Sequence, residues 1–558
     1  MTLIITLKHR TMKYSGLFFA AAISAVMAAC SGHDRTIEFP VAETAMDWMS
    51  VYKVTFSDTA TVVEGNFYGW PGAEIKMPAS AFRLRGGSDG AEYQLLGTPE
   101  AADTIFARMP DNWTVPFTFV FSPLKKGEES FDLVCGNESI RGIPAKERKG
   151  RYTMVIEGTL VDRPNTSRII LYPYNSDPRV NPYISIPVED GKFSYRLEDD
   201  IRTVYELICW DDYCHGSWVS QKIFSDNGKV RLTIPKFSFE ADCDITVDEI
   251  SSSFYKEYET AKARIYVDRD GKDLMALQNS LYNVQSELYS KSLYFNEEYM
   301  ALMDSASTSG YPDDLMKRLS VMNDSGAGLS EAGLDIRDRL ADIFSRVQEN
   351  TAEYCRENVD LAGYFLLTDS YIMLEYLPYP TDRARAAYKE LFETVYSKKY
   401  PDHPFTEQMY NAIASEEIRP GGHFIDFSAP DLSGKVHTLS EKISGKVAVI
   451  DLWASWCGPC RRHSMALIPV YEEYKDKGFT VVGVAREQNG TEAMEAAIRK
   501  DGYPWLNLVE LNDAGHIWAK YGAGNAGGRI VLVDANGIIM AVDPTADEVL
   551  EYLGSHSF

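Results

Sequence analysis

Two cysteines separated by two residues, Cys457 and Cys460, have the clearest capacity for chemistry in this chain. They follow the apolar run Val447–Trp453, at a position typical of a strand that passes directly into a helix. A helix N-terminus presents unpaired N–H groups and a positive dipole end, which lowers the pKa of a thiol placed there. A second thiol three residues later can attack a mixed disulfide and release its product. The spacing therefore predicts thiol–disulfide exchange.

Two other interpretations of this pair are a zinc half-site and a purely structural disulfide. A zinc site needs a second ligand pair at metal-ligand spacing, and the other close pair, Cys209 and Cys214, has four residues between its members. A CxxC at a strand-to-helix junction in a βαβ context is typical of a redox motif. Redox chemistry is therefore favoured, and no metal site is predicted.

The length, composition and charge of the chain limit the class of protein to which it can belong. At 558 residues it should hold three or four domains of roughly 150 residues each. With 45% hydrophobic and 12% aromatic residues, it has enough apolar material for ordinary cores. The formal net charge is −25 and no basic run is present that would neutralise phosphates, which argues against nucleic acid as a partner.

Residues 1–30 are predicted to be a targeting segment, with Met12 as the true start. A short positive region at Lys13 is followed by an apolar stretch over residues 17–26, which is too short for a permanent membrane span. The sequence MAAC, ending at Cys30, resembles a bacterial lipoprotein cleavage box. That resemblance implies cleavage before Cys30 and lipidation of its thiol. An ordinary secretory signal with an incidental cysteine is the alternative.

Five further cysteines are left after the lipid and redox assignments, and an odd number leaves at least one free or intermolecular. They are Cys135, Cys209, Cys214, Cys243 and Cys355. Cys209 and Cys214 flank a predicted hairpin turn. A local disulfide there and two half-buried thiols are both open, because connectivity cannot be deduced from sequence.

Two β-rich domains are expected before the middle of the chain, over 31–146 and 147–247. Short alternating segments bounded by Gly, Pro and Asp indicate strands in both. In the second, Tyr152–Gly158 and Arg168–Tyr172 are expected to pair, and Asp190-Gly191 is a hairpin signal. This strand rhythm, with the sequence DGKF, resembles the β-sandwich module that precedes thioredoxin domains in many Bacteroidetes lipoproteins.

Residues 248–419 are predicted to be a helical domain. Apolar residues recur at three- and four-residue spacing, as in the set Leu274, Leu277, Leu281, Val284 and Leu288. The aromatic residues of this segment are interpreted as core, because aromatic stripes at helical spacing usually face a core. A ligand pocket is the alternative.

Residues 420–558 are predicted to form one α/β domain after the Pro420-Gly421-Gly422 boundary. Its motifs DLWASWCGPC, FSAPDLSGKVHTLS and LVDANGII resemble the TlpA/ResA branch of the thioredoxin superfamily. The expected fold class is therefore multidomain, with N-terminal β-sandwich-like domains, a helical middle domain and a C-terminal α/β thioredoxin fold.

The resemblance implies residue roles in this domain. Cys457 matches the attacking thiol, and Cys460 matches the resolving thiol, one turn into the helix and more buried. Trp456 is expected to pack beside the pair and shield it. Asp451 matches the buried carboxylate of thioredoxins, which would exchange protons with Cys460. A solvated or salt-bridged aspartate at a strand edge is the alternative.

Three basic residues follow the CxxC pair: Arg461, Arg462 and His463. They would favour the Cys457 thiolate if they face it, and they are otherwise interpreted as part of a solvated helix face. The Gly-Pro dipeptide between the cysteines is that of thioredoxin. The resemblance therefore favours a reducing potential, near roughly −270 mV.

The loop expected to dock substrate departs from the family pattern. The family places a cis-proline before the penultimate strand, and the corresponding residue here is Gly528. A cis bond without proline costs about 2.5–4 kcal/mol, so a trans bond is expected. Gly527, Gly528 and Arg529 are predicted to form a looser docking loop, because glycine does not fix the backbone.

The leading hypothesis is a membrane-anchored thiol–disulfide oxidoreductase that reduces disulfides of exported proteins. It requires no cofactor, and its partners would be those substrates and a redox donor protein. The expected location is the periplasmic face of the cell envelope, with the outer membrane favoured over the inner. One alternative is a binding or assembly lipoprotein with a vestigial thioredoxin domain. A thiol peroxidase is another, although the peroxidase motif Pro-x-x-x-Thr-x-x-Cys is absent over residues 450–457.

Overall fold

A computed structural model describes residues 35–555, apart from short gaps at 41, 43–45, 47, 99–102, 111–112, 137, 147–148, 215, 217–218, 237–244, 378, 489 and 526. The chain divides into two compact units. One contains the residues up to Ser253 together with those from Ala414 onward, and the other is Phe254–Ile413. The predicted lipidation site Cys30 and also Cys243 lie outside the described residues. No helix within the described ranges is long and apolar enough to cross a bilayer.

The first part of the chain forms a large antiparallel sheet. Its order is β1-β2-β3-β8-β6-β5-β9-β10, and β4 and β7 form a separate two-stranded sheet. Alternate strand residues point to one aromatic-rich core that contains Phe67, Phe82 and Phe119. The bounds are β1 (Arg35–Glu38), β2 (Met49–Phe56), β3 (Thr61–Tyr68), β4 (Glu74–Pro78), β5 (Phe82–Gly86), β6 (Glu92–Gly97), β7 (Thr104–Arg108), β8 (Thr114–Phe121), β9 (Ser130–Cys135) and β10 (Glu138–Pro144).

The next part forms two four-stranded sheets, ordered β14-β11-β17-β18 and β13-β12-β15-β16. A single apolar cluster contains residues of both, including Ile156 and Ile169, as in a β-sandwich. The bounds are β11 (Tyr152–Leu160), β12 (Arg168–Pro173), β13 (Ile184–Pro187), β14 (Lys192–Asp199), β15 (Val204–Cys209), α1 (Trp210–Cys214), β16 (Gln221–Phe224), β17 (Gly228–Ile234) and β18 (Thr246–Ile250).

Two local predictions for this sandwich are corrected. Strands β11 and β12 do not pair, because they belong to opposite sheets whose apolar faces meet in the shared core. The residues between Cys209 and Cys214 form the short helix α1 instead of a hairpin turn, and Arg163 binds the Asp212 carboxylate there. The two cysteines are not joined by a disulfide. The Asp190-Gly191 hairpin is confirmed, since Glu189 and Lys192 bridge across it and both turn residues have positive φ.

Arg168 connects the first sheet to the sandwich. Its guanidinium carbon lies 3.6 Å from the ring centroid of Tyr68 and 3.4 Å from that of Trp210. The side chain is completely buried. A cation between two aromatic faces gains electrostatic attraction, and this attraction offsets the hydration that the guanidinium loses on burial.

The second unit is helical. Side chains of Asp273, Asn296, Ser330, Asp360 and Thr381 cap five of its helices by accepting a backbone N–H. A π-helical segment, Phe392–Tyr396, joins α8 to α9. The bounds are α2 (Ser253–Ile265), α3 (Leu274–Ser290), α4 (Glu297–Thr308), α5 (Asp313–Ser325), α6 (Glu331–Glu357), α7 (Leu361–Met373), α8 (Asp382–Leu391), α9 (Ser397–Lys399) and α10 (Pro404–Ser415).

The aromatic residues of α7 are core, as predicted, whereas other tyrosines of this unit, such as Tyr311 and Tyr376, are exposed. Tyr364, Phe365 and Tyr371 on α7 are buried. The apolar stripe predicted on α3 is narrower than its spacing suggested, because Leu274 and Leu281 are buried while Leu277 and Val284 are exposed. Strand β18 extends to Ile250, so helix begins after the predicted boundary at 248. The four predicted domain ranges, 31–146, 147–247, 248–419 and 420–558, remain predictions.

The C-terminal part contains a mixed five-stranded sheet in the order β23-β22-β21-β24-β25. Strands β21, β22 and β23 are parallel, β24 runs antiparallel to β21, and β25 runs antiparallel to β24. The bounds are β19 (Ser428–Pro430), β20 (Val436–Thr438), α11 (Leu439–Ile443), β21 (Val447–Trp453), α12 (Gly458–Tyr474), β22 (Phe479–Glu487), α13 (Glu492–Asp501), β23 (Leu506–Leu511), α14 (Ile517–Lys520), β24 (Arg529–Val533), β25 (Ile539–Val542) and α15 (Ala546–Ser555).

The central strand β21 is buried on both faces, as a continuous apolar run predicts. Even-numbered residues such as Ile450 belong to one apolar cluster. Odd-numbered residues such as Val449 belong to the other, which also contains Leu467 of α12. The two-residue period of a strand therefore directs Asp451 to the face that α12 covers. Strand β21 and α12 meet at the CxxC motif.

Candidate active site

The CxxC pair lies at the first turn of α12. Cys457 is the N-cap residue, and its Sγ accepts a hydrogen bond from the Cys460 N–H at 3.3 Å. Pro459 is in the first turn, where its missing N–H and fixed φ suit a helix start. A disulfide joins Cys457 and Cys460, with their Cα atoms 5.3 Å apart. When this bond is reduced, the N-terminus of α12 favours the Cys457 thiolate.

The relative burial of the two cysteines is the reverse of the prediction. Cys457 is 6% exposed and belongs to an apolar cluster that includes Trp518. Cys460 is only half-buried. Its Sγ lies 3.2 Å from the backbone nitrogen of Gly528, a residue with no side chain to cover it.

Asp451 is buried beneath α12. Its side chain accepts a hydrogen bond of 2.7 Å from Ser464 Oγ, which also donates to the Cys460 carbonyl at 3.1 Å. The residue is 1% exposed, and burial raises the pKa of its carboxyl to about 7. A solvated position at a strand edge, the alternative interpretation, is wrong, because β21 is the central strand of the sheet.

Trp456 lies at the surface beside Cys457, with 37% of the residue exposed. Its ring is 6.3 Å from that of Trp518, and the guanidinium carbon of Arg179 lies 4.4 Å from its centroid. The indole is thus held between an aromatic ring of its own domain and a cation of the β-sandwich.

Arg461 does not provide a cation free to stabilise the Cys457 thiolate. Its guanidinium forms a bidentate pair with Asp501, at 2.7 and 2.8 Å, and donates to the Ser455 carbonyl at 3.2 Å. Arg462 is exposed, as expected for a solvated helix face. Arg461 therefore contributes to the support of the turn before Cys457.

The predicted docking loop approaches the disulfide through Gly528. A Cβ atom at this residue would lie 1.8 Å from the Leu452 carbonyl oxygen and 3.2 Å from Cys460 Sγ, whereas one at Gly527 would meet nothing within 4 Å. Arg529 begins β24 opposite Leu452, and its Nη1 donates to the Tyr521 carbonyl. No cis peptide bond occurs among the described residues. Glycine at 528 is therefore required by the close approach of the backbone.

Glu487 is a site residue that the sequence analysis missed. It ends β22, is buried, and accepts hydrogen bonds from both the N–H and the Oγ of Ser455, each at 2.7 Å. Burial raises the pKa of its carboxyl. The signal available in the sequence was the charged pair Arg486-Glu487 at the end of an otherwise apolar strand.

The other described cysteines lie away from this turn. Cys135 is buried in the first sheet, and burial raises the pKa of its thiol to about 12. Burial also raises the thiol pKa of Cys209 in the sandwich and of Cys355 in the helical unit. Thiols with raised pKa values are weak nucleophiles near neutral pH.

Solved structures resemble the C-terminal part of the chain. The thioredoxin domain of a thiol-disulfide oxidoreductase from Bacteroides vulgatus is 27% identical, with 24% of this chain and 95% of that chain covered and a TM-score of 0.23. A thiol-disulfide oxidoreductase from Bacteroides fragilis NCTC 9343 is 24% identical, with 24% and 97% covered and a TM-score of 0.22.

Comparison of sequences identifies the same region. Residues 420–542 match the AhpC/TSA family. The thiol:disulfide interchange protein DsbE of Allochromatium vinosum is 35% identical over 117 residues, which are 20% of this chain and 60% of that protein. The thiol-disulfide oxidoreductase ResA of Bacillus subtilis is 31% identical over 78 residues, 14% of this chain and 43% of that protein. The chain thus spans about half the length of these relatives. The predicted resemblance is confirmed: the C-terminal region is a thioredoxin-like domain similar to those of ResA and DsbE thiol–disulfide oxidoreductases.

Proposed function

We propose that this protein is a thiol–disulfide oxidoreductase that reduces disulfides of exported proteins through Cys457 and Cys460. The observation that carries the proposal is the disulfide between these residues at the N-terminus of α12, above the buried carboxyl of Asp451. A helix start lowers the pKa of the first thiol, and a neighbouring second thiol allows a complete exchange cycle.

In the reduced protein, the Cys457 thiolate attacks one sulfur of a substrate disulfide. A bond forms between Cys457 Sγ and that sulfur, and the other substrate sulfur leaves as a thiolate. The Cys460 thiolate then attacks Cys457 Sγ, which releases the second substrate thiolate and forms the Cys457–Cys460 disulfide. Two electrons pass to the substrate, and a donor dithiol must return them to the protein.

Asp451 is the proposed proton acceptor for Cys460. A carboxyl with a pKa of about 7 takes up and releases a proton near neutral pH, as a general base requires. Ser464 joins the two residues through its hydrogen bonds to the Asp451 carboxylate and the Cys460 carbonyl. Glu487 is the proposed positioning residue for the turn that leads to Trp456 and Cys457.

The alternative functions receive less support. A peroxidase of the motif considered above needs a threonine three residues before its cysteine, and that residue is Ala454, which has no hydroxyl. A vestigial domain has no need of a buried acid beneath a CxxC pair. The oxidoreductase is therefore the favoured proposal over both a thiol peroxidase and a binding or assembly lipoprotein.

The proposed location is the cell envelope, with a lipid anchor at Cys30 and the domains facing the periplasm. This rests on the lipoprotein-like sequence before Cys30. The comparisons do not support the outer membrane in particular, so the proposal is restricted to the envelope. The proposed partners are exported proteins with disulfides and a membrane-associated or soluble thiol donor.

The first test is a redox titration of the soluble form that lacks residues 1–30. Alkylation of Cys457 and Cys460 across dithiol buffers, read by mass spectrometry, gives the midpoint potential. A value near that of thioredoxin, about −270 mV, is expected for a reductase. A potential well above it would indicate an oxidase or isomerase.

Cysteine variants complete this test. Cys460→Ser should accumulate a mixed disulfide between Cys457 and a substrate, because the resolving thiol is absent. Cys457→Ser should form none, and the control Cys214→Ser should behave as the wild type. A pair that fails to exchange within minutes in the wild type would exclude the oxidoreductase and favour the binding lipoprotein.

A further inference from the structure

Asp177 of the β-sandwich contacts residues of the thioredoxin-like C-terminal domain, residues 420–558, which is the redox domain of this chain. This carboxylate is 0% exposed and lies in the turn after β12. It accepts from Arg179 Nη2 at 2.8 Å and from Arg486 Nη1 at 3.1 Å. Arg486 lies near the end of β22 and also binds Asp513 with a bidentate pair. A buried carboxylate is tolerated only when it is well paired, so these two arginines fix the sandwich turn against the redox domain.

Two tryptophans connect the two arginines that bind this carboxylate. The Arg179 guanidinium lies over Trp456, the rings of Trp456 and Trp518 are in contact, and the Arg486 guanidinium carbon is 5.1 Å from the Trp518 centroid. The Arg179 side chain is 26% exposed, whereas that of Arg486 is 6% exposed. Arg179 is therefore the more exposed of the two arginines, and it lies beside Trp456, the residue that precedes Cys457.

The same sandwich turn holds the loop that approaches the disulfide. Arg179 Nη2 donates to the backbone carbonyl of Asn525, and the Asn525 side-chain amide donates to the Ser176 carbonyl at 3.2 Å. Asn525 lies three residues before Gly528, whose backbone nitrogen is against Cys460 Sγ. Glycine leaves this part of the loop without the restriction that a proline would give. The contacts with Ser176 and Arg179 supply a restriction from outside the redox domain.

We propose that Arg179, anchored by Asp177, is a positioning residue of the redox site that holds Trp456 and, through Asn525, the loop before Gly528 in place for substrate. This inference rests on the proposed function and makes the β-sandwich a part of the active site. Fixing a docking loop before substrate arrives lowers the cost of binding, so loss of Arg179 should raise KM more than it lowers kcat.

The test compares Arg179→Ala and Arg179→Lys with the control Arg163→Ala in the soluble form lacking residues 1–30. Arg163 lies in the same sandwich and is similarly paired with aspartates, and its partners Asp211, Asp212 and Pro235 all belong to the sandwich. Two readouts are used: hydrogen exchange of the 522–528 segment in the oxidised protein, and kcat and KM for reduction of insulin disulfides with dithiothreitol as donor.

For Arg179→Ala we expect at least tenfold faster exchange in this segment and about a tenfold higher KM, with kcat within twofold of the wild type. Arg179→Lys should be intermediate, because an ammonium cannot reproduce the guanidinium fork. Arg163→Ala should leave both readouts within twofold.

Unchanged exchange of the segment in Arg179→Ala would overturn the proposal. Faster exchange with an unchanged KM in an active enzyme would overturn it as well, since the contacts of Arg179 with the loop would then not serve substrate binding. A wild type that reduces no disulfide would instead reject the proposed function, and the exchange measurement would still decide whether Arg179 holds the loop.

Discussion

Asp451 is the residue whose charge most directly links stability to pH. Burial raises the pKa of its carboxyl from 3.8 to about 7. The folded state therefore binds more protons than the unfolded state between these two values, and folding stability decreases as pH rises through this window. One pKa unit is equivalent to about 1.4 kcal/mol. Between pH 5 and pH 8, ionisation of this residue should therefore lower the free energy of unfolding by roughly 2–3 kcal/mol.

We expect Asp451→Asn to reduce the loss of stability between pH 5 and pH 8. The measurement is the free energy of unfolding of the oxidised protein in denaturant at both pH values. Part of the loss should remain, because burial also raises the pKa of Glu487 and Glu510. Asp501→Asn is the control, since Arg461 lowers the pKa of Asp501 and it stays ionised throughout this window. An equal loss in wild type and Asp451→Asn would contradict the prediction.

Glu487 offers a second prediction at the residue scale. Glu487→Ala leaves the Ser455 N–H and hydroxyl without their acceptors, which should loosen the turn before Cys457. We expect kcat/KM for insulin reduction to fall about tenfold, and Glu487→Gln to lie between this variant and the wild type.

The matched control for Glu487 is Glu198→Ala in the sandwich. Glu198 also accepts from a backbone N–H, that of Gly150, and from a hydroxyl, that of Thr153. Its loss should leave kcat/KM within twofold of the wild type. A similar decrease in both variants would show that general destabilisation, and not the turn, is responsible.

At the scale of elements, the close contact between β21 and the loop before β24 predicts opposite outcomes at two adjacent glycines. Gly528→Ala should destabilise the protein by about 1–3 kcal/mol or more, because the new Cβ would overlap the Leu452 carbonyl oxygen. Gly527→Ala should be nearly neutral, because nothing lies within 4 Å of its Cβ. Denaturant midpoints of both variants test this. Equal effects would mean that the loop moves away freely.

The elements around the site could be predicted because their signals are local. The apolar run of β21 and the CxxC spacing gave the bounds Val447–Trp453 and the start of α12 at Gly458. The narrower core face of α3 could not be predicted, since the spacing of Leu277 and Val284 does not reveal how many sides of a helix are covered. The placement of β11 and β12 in opposite sheets could not be predicted either, because strands that are adjacent in sequence need not pair.

The residues that support the site could not be predicted from the sequence, because their partners are far away along the chain. Ser455 and Glu487 are 32 residues apart, and Asp177 and Arg486 are 309 residues apart. A charge at a strand end indicates only that a partner or solvent is needed, and it does not identify which.

At the scale of the whole molecule, the buried cation Arg168 should contribute to the stability of the β-rich part of the chain. Arg168→Met keeps most of the volume and removes the attraction to Tyr68 and Trp210. We expect a loss of about 2 kcal/mol or more in the denaturant transition monitored by tryptophan fluorescence. The control Arg196→Met replaces a largely exposed arginine and should change stability by less than about 0.5 kcal/mol. Equal losses would contradict the prediction.

The distance along the chain between Asp177 and Arg486 has a consequence for biosynthesis. The sandwich is synthesised first, the whole Phe254–Ile413 unit follows, and Arg486 emerges only afterwards. Contacts of such large sequence separation form late in folding. A chain that ends prematurely would keep the Asp177 carboxylate without Arg486 and with the surface around it uncovered. Completion of this buried ion pair therefore requires completion of the last domain, and incomplete chains should be cleaved by proteases more readily than the full-length protein.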